Sequence, residues 1–242
     1  MLKLFSMLMA AGKLGPALKS GLTMILSVGA YAFVFGWWYA VGFVLLLLVH
    51  EMGHYVAARR VGLPVGLPTF IPFVGAWIDL KQQPLSVAQE AYVAFGGPFM
   101  GTVASVVMLF LAGNTGSPLL LALAYAGFFL NLFNLVPVTP FDGGRIVAIV
   151  SPRIWLLGAP ILVGIFLLIP SPMFLVILLL VAPTIWQSLK AAWRREPLGG
   201  DPRYYDVPAQ ERLRWGAYYL LLLVFLCVMT WQTHQSLQAL RQ

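Results

Sequence analysis

The sequence predicts an all-α polytopic membrane protein of about six or seven transmembrane helices, interrupted by a short re-entrant, β-hairpin-like segment near 64–80. Three observations carry this expectation. Hydrophobic residues make up 60% of the 242 and charged residues only 10%, with a mean hydropathy of +0.87; an ordinary soluble domain carries about 25% charged residues. Apolar stretches near the ~20 residues needed to cross a bilayer recur along the chain. Between two of them, prolines and glycines are too dense for a helix to continue. No polar block is long enough to fold by itself, so 1–242 reads as a single membrane-embedded domain.

The spans fall at about 18–35, 37–58, 88–112, 117–136, 173–192 and 213–233, with a shorter stretch at about 154–169 that contains Pro160. Gly36, the 114–117 turn and Pro170-Ser171-Pro172 supply tight connections. Residues 4–11, between Lys3 and Lys13, read as a cytoplasmic amphipathic lead-in rather than a cleaved signal. With the N-terminus cytoplasmic, fourteen of the 15 Lys and Arg residues lie inside and only Arg241 outside, a strong positive-inside bias. The same placement accounts for the basic excess without nucleic acid. The expected location is therefore the cell membrane, multi-pass, with the N-terminus inside. Cys227, the only cysteine, excludes an intrachain disulfide and reads as a small packed hydrophobe.

Two segments break the helical pattern. Residues 61–84 carry Pro64, Pro68, Pro72 and Pro84 with Gly62, Gly66 and Gly75. The β-prone pieces 69–74 and 76–80 between them suit a hairpin, serving either as a strand edge for an extended peptide or as a plug in the bundle. The second break is 137–144. The C-terminal helices, about 154–233, are joined by a polar connector at 194–212 that reads as a solvated cytoplasmic loop.

The chemistry-bearing pattern is His50-Glu51-Met52-Gly53-His54 on the second span. Residues i and i+4 share a helix face, so both imidazoles can address one metal ion, with Glu51 beside them as a proton acceptor. Ionisable groups inside an apolar span are functional by default, because their desolvation is otherwise uncompensated. Arg60 follows His54 and His50 by six and ten residues. At ~1.5 Å per residue the pair lies roughly 9–15 Å inside the basic boundary, so the active-site end is cytoplasmic. His234 sits at the C-terminal boundary and reads as an exposed interfacial residue.

A catalytic zinc takes three protein ligands and keeps one position open. Among the acidic residues, Asp79 and Glu90 flank Lys81 and read as solvated charges, while Glu196, Asp201, Asp206 and Glu211 belong to the connector. Asp142 stands apart, because the fourth span brings it inward to the depth of His50 and His54. Pro137 and Pro140 end the helix, and Gly143-Gly144 permit a sharp turn and close backbone approach.

His-Glu-x-x-His on one span, followed by Asn134-x-x-Pro137-x-x-x-x-Asp142-Gly143-Gly144 on a later one, resembles the site-2 protease family of intramembrane zinc metalloproteases. The likeness covers about 36–145, the part that resembles the family's catalytic core. It implies Zn2+ held by His50, His54 and Asp142, Glu51 as catalytic base, and Asn134 as a contact for substrate or oxyanion. Gly96-Gly97-Pro98 also resembles a family feature, although close helix packing through Gly97-x-x-x-Gly101 explains it equally. The expected partners are the lipid bilayer, a single-span membrane protein or signal-peptide remnant as substrate, and a regulatory protein. The expected form is compact, without an appended PDZ or CBS domain. A scaffold that had lost proteolysis would not need Glu51. A transporter would show repeated halves or charges along a pathway, and neither is visible.

Overall fold

Helices α1 (Pro16–Phe35) and α2 (Trp37–Arg60) open the bundle in a computed structural model that describes residues 15–168, 170–194 and 202–240. The expected lead-in at 4–11, Lys3, Lys13, Arg195, Glu196, Asp201 and Arg241 lie outside the described residues. Gly36 alone parts the two helices, at a φ of +84° where a side chain would be strained. Its N–H closes α1 on the Ala32 carbonyl.

After α2 the chain forms the expected hairpin. Strands β1 (Thr69–Ile71) and β2 (Gly75–Trp77) pair antiparallel, with Phe70 opposite Ala76, and Val65 bridges Leu80 further out. The turn between them is closed by the Val74 N–H on the Ile71 carbonyl at 3.2 Å. Pro72 holds its second position, where a φ near −65° fits, and Phe73 adopts a φ of +63° at the third. Hydrogen bonds from Phe70 N–H to the Thr23 hydroxyl and from Phe73 N–H to the Tyr31 hydroxyl pin the hairpin to α1.

Helix α3 (Val87–Thr115) begins at Ser86, whose hydroxyl accepts from Gln89 N–H. The Gln89 side chain returns to accept from Leu85 N–H and reaches the Val61 carbonyl, tying the new helix to the end of α2. Helix α4 (Pro118–Asn134) starts with Ser117 as cap and Pro118 in the first turn. There follow the proline turn, α5 (Asp142–Val147), a 3-10 turn (Pro152–Leu157), α6 (Gly158–Leu168), α7 (Pro172–Arg194), a second 3-10 turn (Pro202–Tyr205) and α8 (Ala209–Ala239).

Among the described residues five helices are long and apolar enough to cross a membrane: α1, α2, α3, the Phe174–Arg194 part of α7, and α8. Helix α4, with 17 residues, sits at the lower limit of about 17. The chain is thus an all-α multi-pass membrane protein, with one small two-stranded sheet among the described residues. The shorter stretch at about 154–169 is different in kind. Its first residues form the 3-10 turn and α6 adds 11 residues, together one apolar helical stretch from Pro152 to Leu168.

The core lies where α3, α4, α5 and α8 meet, around Phe128, Leu135, Val138, Ile146, Trp155 and Leu226. Two expectations are corrected here. Cys227 is exposed on the outer face of α8 rather than packed. The described part of the connector is docked rather than solvated, because carbonyls left open after α5 need donors. Arg212 supplies them, donating to Ile149 and Val150 at 3.1 Å and to the Tyr205 carbonyl at 2.6 Å.

Candidate metal centre

The histidine pair sits where α2 crosses α3 at minimal separation. A Cβ on Gly53 would come within 2.2 Å of the Gly96 carbonyl oxygen, and one on Gly96 within 2.6 Å of the Gly53 oxygen. Only glycine at both positions allows this approach. One residue on, a Cβ at Gly97 would meet His54 Nε2 at 2.2 Å, and one at Gly101 would meet Asn131 Oδ1 at 2.3 Å. The Gly96-Gly97-Pro98 run, with Gly101, therefore packs helices and also makes room for the site's own side chains.

Asp142 arrives by the proline turn. Helix α4 stops at Asn134 and residues 135–141 double back, so Asp142 becomes the first residue of α5. Gly143 and Gly144 lie inside that helix rather than in the turn. Their role is the close approach, since a Cβ on Gly143 would strike the Leu135 oxygen at 2.1 Å and one on Gly144 the Val138 carbonyl carbon at 2.2 Å. Two hydrogen bonds fasten the turn: the Tyr219 hydroxyl donates to the Leu135 carbonyl and the Trp155 indole N–H to Gly144, each at 2.8 Å.

The three residues meet as the sequence predicts. His50 Nε2 and His54 Nε2 are 3.2 Å apart, and Asp142 Oδ2 lies 3.2 Å from the first and 3.1 Å from the second. All three residues are buried, and they form the one such cluster of potential metal ligands found among the described residues. Ligands at ~2.1 Å around a tetrahedral ion stand about 3.4 Å apart, so the triangle has nearly the required size.

Tautomers settle what the triangle can hold. Asn131 donates its amide N–H to the Gly127 carbonyl at 2.7 Å, which turns Oδ1 toward His50 Nδ1 at 2.8 Å. That oxygen only accepts, so His50 carries its proton on Nδ1. His54 Nδ1 lies 2.8 Å from the Val93 carbonyl, another pure acceptor, with the Gly97 N–H further off at 3.3 Å. Both Nε2 atoms therefore present lone pairs, aimed at each other and at a carboxylate oxygen. Three lone pairs converging in a buried space repel one another unless a cation lies between them. The donor set, two imidazoles and one carboxylate, suits zinc.

Glu51 is buried and lines the same large cavity as the triad, about 640 Å³. Asn134 also lines it, half-buried, with one amide N–H donated to the Leu130 carbonyl and a second left to serve a ligand. Asn131, one turn earlier on α4, is fully buried and committed to His50. The sequence signal for it was a second asparagine one turn earlier on the same helix. Glu90 is not a solvated charge, since its Oε1 accepts from Arg145 at 3.1 Å. Asp79 is exposed as expected, and His234 stands apart from the cluster, beside Tyr125 and Gln238.

Residues 38–118 match Peptidase family M50, a stretch that includes His50, Glu51 and His54 and ends before Asp142. Zinc metalloprotease MJ0392 of Methanocaldococcus jannaschii is 31% identical over 124 residues, 48% of this chain and 36% of that protein. Rip3 of Mycobacterium tuberculosis is 32% identical over 133 residues, 50% of this chain and 34% of that one. The chain thus spans about a third of the length of these curated relatives. Among solved structures, the Site-2 Protease from Methanocaldococcus jannaschii aligns with a TM-score of 0.45 at 20% identity, over 74% of this chain and 90% of that one. The segment that carries the two histidines is thus similar to Peptidase family M50.

Proposed function

We propose that the protein is a zinc-dependent intramembrane endopeptidase that hydrolyses a peptide bond within or near a transmembrane segment of another protein. The observation that carries this reading is the buried convergence of His50 Nε2, His54 Nε2 and Asp142 Oδ2 at 3.1–3.2 Å, with Glu51 lining the same cavity. A zinc ion held by these three residues supplies Lewis acidity, enough to lower the pKa of a water to about 7. Glu51 takes the proton of the attacking water on its carboxylate and passes it to the leaving amine. Asn134 offers its second amide N–H to the developing oxyanion, a contact whose loss typically costs about 10²–10³ in rate.

The cavity supports an apolar, extended substrate. Its walls include Tyr31, Phe43, Phe73, Phe129 and Phe174, and Gly75, Ala76 and Trp77 of β2 border it. A strand edge there favours a peptide whose own helix has opened, because a closed helix hides every carbonyl. The substrate class we infer is a single-span membrane protein or a signal-peptide remnant, and a separate regulatory protein is expected to control access. Fourteen of 15 basic residues on one side support a cell-membrane protein with the N-terminus and the active-site end cytoplasmic.

The test is co-expression with a panel of tagged single-span substrates. Wild type is expected to cleave at least one of them, and Glu51→Gln none while keeping its metal. Cleavage by Glu51→Gln at the wild-type rate contradicts the assignment.

A further inference from the structure

Asp142 has two carboxylate oxygens, and they have different neighbours. Oδ2 faces the two imidazoles. Oδ1 faces Arg145, whose Nη1 lies 3.9 Å away, one turn along α5. The Arg145 guanidinium is itself held, since its Nε donates to Glu90 Oε1 of α3 at 3.1 Å. The other oxygen of Glu90 accepts from the Tyr204 hydroxyl, which belongs to the 3-10 turn 202–205 ahead of α8. Burial, and then the Glu90 carboxylate beside it, push the Tyr204 hydroxyl far above the usual phenol range, so it stays a donor at any physiological pH.

We propose that Arg145 is a positioning residue for Asp142, and that Glu90 and Tyr204 hold Arg145 in place, so the third ligand's geometry depends on the docked 202–205 turn. The inference rests on the metal reading of His50, His54 and Asp142. A carboxylate on the first residue of a six-residue helix can rotate to offer either oxygen or both. The guanidinium, a fixed fork of donors, favours the rotamer that keeps Oδ1 on the arginine and Oδ2 on the metal side. An arginine left to itself has many rotamers, and its hydrogen bond to Glu90 removes most of them. Glu90 in turn has both oxygens engaged, one by α5 and one by the segment that leads into α8. Arg212 secures the same segment through the Tyr205 carbonyl. The polar path runs from the connector to the metal ligand through three side chains, none of which belongs to the His-Glu-x-x-His or Asn-Pro-Asp patterns. Outer partners of this kind typically change metal affinity by 10–100-fold.

The experiment uses the full chain in detergent, loaded with Co2+ as a spectroscopic stand-in for zinc. Visible ligand-field bands and the rate of metal release to excess chelator are read for wild type, Arg145→Ala, Arg145→Lys, Glu90→Gln and Tyr204→Phe, each with its thermal unfolding midpoint. Expected is faster release, about 10–100-fold for Arg145→Ala, less for Tyr204→Phe, with partial rescue by Arg145→Lys. The ligand-field bands are expected to shift in Arg145→Ala, because a freed carboxylate changes its mode of coordination. Wild-type release rates and bands in Glu90→Gln and Tyr204→Phe, with both variants folded, overturn the proposal. So does a fall in unfolding midpoint with no change in release or bands, which marks a purely structural network. If wild type takes up no Co2+, or Asp142→Ala binds it as tightly, the failure lies in the metal reading itself.

Discussion

The imidazole of His54 occupies the space that a side chain at Gly97 would need, with Nε2 2.2 Å from the place of the missing Cβ. Relief would require α3 to lift away from α2 and open the close Gly53–Gly96 approach. Helix α3 therefore shapes the metal centre without contributing a ligand.

Gly97→Ala should displace His54 and weaken metal binding by at least about 10-fold, the lower end of the range for losing correct ligand orientation. Chelator competition measures it. Gly113→Ala is the control, since nothing lies within 4 Å of its Cβ position, and its metal affinity should match wild type.

The two asparagines of α4 should separate cleanly. Asn131→Ala removes the acceptor that fixes the His50 tautomer, so metal affinity should fall about 10–100-fold. Asn134→Ala leaves the triad's partners untouched, so metal should be retained while the cleavage rate drops about 10²–10³-fold. Metal titration and single-turnover cleavage on the same preparations distinguish the two roles.

That pair also marks the boundary of what the sequence discloses. The convergence of His50, His54 and Asp142 was legible because the two histidines share a face by helical period and Asp142 is the one acid in an apolar, proline-broken context. The hairpin was legible from Pro72 and its neighbours, which exclude a helix. Which of Asn131 and Asn134 faces His50 was not, because residues three apart lie on one side of a helix and the rotation of α4 is set by packing on α3. The Glu90–Arg145 pair joins residues 55 apart through a turn whose path depends on Gly143 and Gly144 fitting against Leu135 and Val138.

Tyr219→Phe should cost stability rather than chemistry. Its hydroxyl is the donor to the buried Leu135 carbonyl at 2.8 Å, and an unmet buried acceptor costs about 1–3 kcal/mol. Denaturant or thermal unfolding in detergent should register that loss, with the metal site of the folded fraction intact.

Phe73 tests the hairpin. Its φ of +63° is beyond proline's reach, so Phe73→Pro should undo the turn, abolish cleavage and leave metal content unchanged, because the ligands stand on α2 and α5. Phe73→Asn tolerates that φ and should preserve the turn and measurable cleavage. Equal cleavage by wild type and Phe73→Pro would remove the hairpin from substrate handling.

The central claim is that His50, His54 and Asp142 hold one zinc ion between them. Metal analysis of purified wild type, Asp142→Ala and Glu51→Gln tests it most directly. One zinc per chain is expected in wild type and in Glu51→Gln, and close to none in Asp142→Ala. Full zinc occupancy in Asp142→Ala, or none in wild type purified without chelator, would contradict it.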